Sequence, residues 1–216
     1  MTNENRSSSN PAHPGKDQAS NKPDERYLIA GLGNPGRQYR DTRHNIGFMF
    51  ADWMAKLLGH SFTKVQMRAL VIDLRYNDRR VMLVKPQTYM NESGIAVGSL
   101  LKFYKIPLQN LLVAHDDVDL PFGTIRLRPG GGSAGQKGVA SIIDRLGTQD
   151  FARLRLGVSR PPGSKLAAAY VLQNFNRDES EILPVILDKA VDAALTFLTE
   201  NLDIAMNRYN GQDIIE

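Results

Sequence analysis

The stretch from Tyr27 to Phe48, YLIAGLGNPGRQYRDTRHNIGF, constrains the fold more than any other. It begins as a short apolar run, breaks at a Gly-Pro turn, and ends in a polar cluster that opens a helix. The cluster holds Asn34, Tyr39, Arg43, His44 and Asn45. A buried strand that delivers polar groups at its carboxyl end is how open α/β sheets place their sites. Gly31-Leu32-Gly33-Asn34-Pro35-Gly36 also has the GxGxxG spacing of a dinucleotide loop. Such a loop needs a helix to start beside its last glycine, so that backbone N–H groups face a pyrophosphate. Pro35 removes one of those N–H groups, and a polar connection follows instead of an apolar helix. Nicotinamide or flavin binding is therefore the lesser reading, and no cofactor is expected.

The rest of the chain alternates strand and helix signals. Short apolar or alternating runs predict strands at 27–30, 69–76, 80–85, 111–114, 124–128 and 153–158. Asn77-Asp78 marks a tight hairpin between the second and third. Helical spacing predicts helices at 45–58, 92–104, 139–146, 178–200 and 202–209. The apolar face of the first is drawn from Phe48, Phe50, Trp53, Met54 and Leu57, and Asn91 is placed to cap the second. Gly130 to Gly135 reads as a flexible loop. The expected architecture is α/β: one domain, a twisted mixed β-sheet with helices on both faces, in three α/β/α layers.

Residues 1–25 are rich in Asn, Ser, Pro and charge, with almost nothing to bury, and are expected to be a disordered tail. Residues 26–216 are then the folded domain, an ordinary length for one. The acidic residues of the tail argue against a transit peptide, and no secretory core is present. No apolar run reaches the ~18 residues of a membrane helix. A cytoplasmic protein, monomeric and without membrane contact, is expected. The absence of cysteine excludes disulfides, thiolate ligands and a Cys nucleophile. Four scattered histidines give no metal-ligand spacing, so a metal-independent reaction is expected. A net charge of +4 is compatible with a nucleic-acid partner but does not demand one.

Three polar groups fall at or just after strand ends: the 34–45 cluster, Tyr89-Met90-Asn91, and Asp116. A shared site of Asn34, His44, Asn91 and Asp116 follows from the expected topology. Imidazole ordinarily titrates near 6.5, which suits a histidine to general-base work at neutral pH. Asp116 can accept the second ring N–H of His44 and fix its tautomer. On spacing alone the plainer readings stand beside this one: a helix-start histidine, a solvated strand-end acid, a turn asparagine and a capping asparagine. His115, next to Asp116 on a strand, points to the opposite face. Arg126, Arg128, Arg153 and Arg155 form two Arg-x-Arg strands, whose adjacent pairing would gather a basic patch suited to phosphate. Ordinary half-exposed strand faces are the alternative.

The stretch GLGNPGRQYRDTRHNIGF resembles the opening of bacterial-type peptidyl-tRNA hydrolases. The resemblance continues in the same order through PQTYMNESG, VAHDDVDLPFG, RLRPGGGSAGQKG and RLRLGV, and covers the chain from Tyr27 to about Tyr209. It implies hydrolysis of the ester between peptide and tRNA, with peptidyl-tRNA as partner and substrate. It places His44 on the family's catalytic histidine and Asp116 on its aspartate partner. Asn34, Tyr39, Tyr89 and Asn91 fall on substrate-binding positions, Asn91 near the scissile ester and Tyr39 near the tRNA acceptor end. Arg128 and Arg155 fall on positions implicated in clamping a tRNA phosphate. The resemblance also implies a lid formed by the C-terminal helices. One departure matters: many members read HGGHNG or AGGHNG, whereas this chain reads Ser133-Ala134-Gly135-Gln136-Lys137-Gly138. The family's substrate-binding asparagine is Lys137 here, so an amide is replaced by a cation. Pointing inward, Lys137 can polarise an oxyanion; pointing outward, it extends the basic patch. A non-catalytic RNA-binding relative of the same fold is the alternative that this substitution supports.

Overall fold

The expected apolar runs become the centre of one sheet. In the computed structural model, which describes residues 25–161, 163 and 166–211, the first run is β1 (Arg26–Gly31). It is followed by α1 (Ile46–Leu57), a short β2 (Lys64–Gln66), β3 (Ala69–Tyr76) and β4 (Arg79–Pro86). The chain continues through α2 (Ser93–Tyr104), β5 (Leu111–Asp117), β6 (Ile125–Arg128), α3 (Lys137–Leu146) and β7 (Ala152–Gly157). Helices α4 (Ala167–Val171), α5 (Arg177–Thr199) and α6 (Leu202–Tyr209) complete it. The seven strands lie in the order β2-β3-β4-β1-β5-β7-β6. β4, β1, β5 and β7 are mutually parallel, and the edges β2-β3-β4 and β7-β6 are antiparallel.

The parallel strands carry apolar side chains on both faces because helices cover both. Ile29, Leu83, Leu112 and Leu154 pack toward α1, α5 and α6 in one buried cluster. Leu28, Val84 and Val113 pack toward α2 and α3 in the other. This is the expected three-layer α/β/α arrangement. The hairpin is also as expected: Asn77 and Asp78 have φ of 44° and 63°, the left-handed pair that matches strand twist.

The glycines of GLGNPG have a packing reason. A Cβ on Gly31 would run into the backbone carbonyl of Gly47, and one on Gly33 would meet the Phe48 ring at 2.6 Å. The strand end and α1 therefore touch backbone to backbone, which seats the start of α1 directly over the sheet. A 3₁₀ turn at Arg37–Tyr39 follows the loop, so no long helix begins at its last glycine.

Several expectations need correction. Asn91 does not cap α2: it sits within a 3₁₀ turn, Met90–Glu92, and no side chain caps the helix that follows. Leu57 is 54% exposed and lies off the buried face of α1. β7 is not half-exposed, since Arg153 is buried. β2 and α4 were not expected. Residues 1–24 of the expected tail lie outside the described residues.

Candidate active site

The loop after β1 is locked from within. The Asn34 N–H donates to Asn45 Oδ1 at 2.8 Å, and Asn45 Nδ2 donates back to the Asn34 carbonyl at 2.9 Å. Asn34 Oδ1 in turn accepts the Met90 N–H at 2.8 Å. Two loops from neighbouring strands, β1 and β4, are thereby joined through one buried asparagine. Its Nδ2 amide keeps no partner among the described residues at the cavity it lines.

His44 lies in a 3₁₀ turn, Arg43–Asn45, that runs into α1. Arg43, beside it, fixes the turn. Its guanidinium donates to the Asn174 carbonyl and to Glu179 Oε2, each at 2.5 Å, and lies over the Tyr170 ring, 4.4 Å from its centroid. His44 Nδ1 lies 2.8 Å from Asp116 Oδ2. A carboxylate only accepts, so Nδ1 carries the proton and Nε2 keeps its lone pair. Asp116 comes from β5, which extends through Asp117 beyond the expected run. The second carboxylate oxygen, Oδ1, accepts Gln136 Nε2 at 3.0 Å. Gln136 was not singled out in the sequence, where it is hidden by the preceding glycines.

These groups face a cavity of about 360 Å³. Asn34, His44, Asp116, Tyr89, Asn91 and Lys137 all line it, together with Met90 and Gln136. Ala167, Ala168, Val171 and Leu172, from α4 and its end, form an apolar side. Tyr89 is 61% exposed at the rim. Lys137 is exposed as the first residue of α3, so the cation that stands for the family's amide is at the mouth of the cavity. Tyr39 is not among the lining residues; it is half-buried, and its carbonyl accepts from Thr42 Oγ1 at 2.8 Å.

Arg128 and Arg155 lie elsewhere, on the face of the sheet that carries α3. The ladder of β6 and β7 pairs Arg126 with Arg155 and Arg128 with Arg153, so the four arginines share one face. They are not equivalent. Arg155 Nε donates to Asp117 Oδ2 at 2.5 Å. Arg153 is buried and donates to the carbonyls of Gly131 and Gly132, which ties down the glycine loop. Burial, with the guanidiniums of Arg155 and Arg128 nearby, weakens its hold on its own proton. Arg128 is exposed. His115 is buried on this same face, as its place beside Asp116 requires. Its Nδ1–H donates to the Asp116 carbonyl at 2.7 Å, and burial holds its pKa below the usual value. Among the described residues, no group of three or more His, Asp or Glu is arranged to hold a metal ion.

The sequence matches the family described as peptidyl-tRNA hydrolase over residues 28–216. A peptidyl-tRNA hydrolase of Mycobacterium marinum is 48% identical over 189 residues, covering 87% of this chain and 98% of its own. One from Chloroflexus aggregans is 46% identical over 185 residues, covering 85% and 98%. Among solved structures, the peptidyl-tRNA hydrolase of Acinetobacter baumannii superposes with a TM-score of 0.82 at 32% identity, covering 88% of this chain and 97% of that one.

Proposed function

The chain belongs to the peptidyl-tRNA hydrolase family, and we propose that it hydrolyses the ester joining a peptide to the terminal ribose of tRNA. The observation that carries this reading is the bond from His44 Nδ1 to Asp116, 2.8 Å long, which leaves Nε2 free at a cavity of about 360 Å³. His44 Nε2 takes a proton from water as the water oxygen attacks the ester carbonyl. Asp116 stabilises the imidazolium that forms. Amide donors at the cavity, Asn34 Nδ2 and the side chain of Asn91, meet the oxyanion. Collapse of the tetrahedral intermediate breaks the bond to the ribose oxygen, which takes the proton from His44. The products are tRNA with a free hydroxyl and a peptide with a free carboxyl group.

The remaining roles belong to the same reading. Tyr89, Asn91 and Lys137 contact substrate at the cavity mouth, Lys137 offering charge where relatives offer an amide. Tyr39, outside the cavity, contacts the tRNA acceptor end. Arg128 and Arg155 hold a tRNA phosphate on the α3 side of the sheet. Residues 26–216 form the catalytic domain. The protein acts as a cytoplasmic monomer on peptidyl-tRNA, without a cofactor; no helix among the described residues is long and apolar enough to cross a membrane. The RNA-binding alternative rests on Lys137 alone, whereas hydrolysis draws on the whole His44–Asp116 arrangement.

The test is release of labelled peptide from peptidyl-tRNA by the purified protein beside its His44→Ala variant. Release by the parent, with a loss of ~10²-fold or more in the variant at similar tRNA affinity, is expected of a general base. Equal loss of turnover and affinity would remove His44 from that role. Binding without release by either protein would replace the hydrolase with the RNA-binding relative.

A further inference from the structure

Helix α3 has an unusual N-cap. The position favours short polar residues, whose side chains fold back onto the first turn, yet here it is Gln136. Its Oε1 accepts the Val139 N–H at 2.8 Å. With Oε1 committed to the helix, the amide has one orientation left, and Nε2 is aimed away from α3. That nitrogen donates to Asp116 Oδ1 at 3.0 Å and has Met90 Sδ at 3.3 Å. Gln136 is buried, and every polar atom of its side chain is engaged.

The consequence falls on Asp116. A carboxylate bonded through one oxygen alone can swing about its terminal torsion, which is broad and soft. Asp116 is held at both oxygens, by His44 at Oδ2 and by Gln136 at Oδ1, from two different elements of the fold. We propose that Gln136 is a positioning residue: it sets the plane of the Asp116 carboxylate and through it the tautomer and aim of His44. The proposal rests on the hydrolase reading and adds to it a direct link between the α3 N-terminus and the catalytic pair. The two tasks need an acceptor and a donor on one side chain of this reach, which the amide of Gln136 supplies. A short cap satisfies the helix but does not reach Asp116, and an apolar side chain of equal length does neither.

That difference gives the test. Gln136→Met removes both bonds while keeping the side-chain length. Gln136→Ser keeps a helix cap and removes only the bond to Asp116. Both variants are expected to lose about tenfold or more in kcat, the order seen when a partner that orients a catalytic ligand is removed, with KM close to the parent's. Parent-level kcat in Gln136→Ser would overturn the proposal and leave Gln136 as a helix cap. A second readout needs no turnover: the proton NMR resonance of the His44 Nδ1–H, held downfield by its carboxylate bond. It is expected to broaden or move upfield in both variants, and a sharp, unmoved resonance in Gln136→Ser would overturn the proposal. Because this signal exists in any folded sample, an inactive parent protein would sink the hydrolase reading while the resonance still decided the role of Gln136.

Discussion

Asp116 and Asp117 are neighbours at the end of β5, both buried and both at the edge of the same cavity, yet the two faces of the sheet give them opposite surroundings. Asp116 meets neutral partners, the imidazole of His44 and the amide of Gln136. Asp117 meets a cation, Arg155, and the Asp119 N–H at 2.9 Å. The negative charge of Asp117 is thus matched before any substrate arrives. That of Asp116 is unmatched until the imidazole gains a proton, which is when general-base catalysis needs it. Strand alternation produces both environments from two consecutive identical residues. Which aspartate is placed to serve a general base therefore follows from what each one faces, and residue type alone does not distinguish them.

The sharpest way to break this contrast is to neutralise each in turn. Asp116→Asn keeps the shape but presents an amide to His44. The ring is then free to hold its proton on Nε2, and turnover is expected to fall by roughly 10²–10⁴, with the unfolding midpoint little changed. Asp117→Asn should do the reverse. It leaves the largely buried Arg155 without its carboxylate, a loss on the order of 3 kcal/mol in stability, while turnover per folded molecule stays near the parent's. Single-turnover peptide release and urea unfolding on both variants make the comparison. If Asp117→Asn loses as much turnover as Asp116→Asn, the division between the faces is wrong.

The contrast also shows what could be read from the sequence and what could not. Strands β1, β3, β4 and β5 were legible because each is a short apolar run bounded by turn residues. The meeting of His44 with Asp116 was legible because topology sends strand ends to one edge. β2 was not legible: it is a polar segment with one apolar residue, Val65, which is 68% exposed, and it exists because the edge of β3 offers it a partner. α4 spans five residues, too few to show a helical period. Asn91 has the chemistry of a cap, but the backbone ahead of α2 tightens into a 3₁₀ turn and leaves it at the cavity. The alternation in β7 records polarity, not exposure. Arg153 is polar and buried because it satisfies the carbonyls of the glycine loop. Gln136 escaped because its function lies in reach across space, from a helix cap to a strand 20 residues earlier in the chain.

A smaller effect separates the faces by pH. Burial is the main cause that holds the His115 imidazole below its usual value; the Asp116 carbonyl and the carboxylates of Asp116 and Asp117 pull the other way, and Arg153 adds to the depression. The unfolded chain takes up this proton near 6.5, and the folded chain does so only at lower pH. The contribution is therefore complete above about pH 6.5 and declines as pH falls from there toward the depressed folded value, by at most about 1.4 kcal/mol per pH unit. His115→Asn offers an amide donor in place of Nδ1–H and cannot titrate. Unfolding free energies taken at about pH 7.5, 6.5 and 5.5 should fall more steeply with falling pH in the parent than in this variant. Parallel curves would mean that His115 takes up its proton in the folded protein as readily as in the unfolded one.

The smallest expected effect tests the basic face itself. Arg128 is exposed, and among the described residues it has no carboxylate partner; Arg155 has Asp117 at its Nε. A phosphate that docks between them gains a full uncompensated charge from Arg128 and only the outer guanidinium edge of a neutralised pair from Arg155. Counterion release scales with the charge a protein brings to the phosphates. Arg128→Gln should therefore flatten the log–log dependence of tRNA affinity on salt by up to about one unit. Arg155→Gln should flatten it less while costing more stability, because it strands Asp117 in the interior. Filter-binding titrations across a salt series give both slopes. Equal slopes for the two variants would show that the Asp117 pair opens when tRNA binds and that the matched charge of this face is a property of the free protein only.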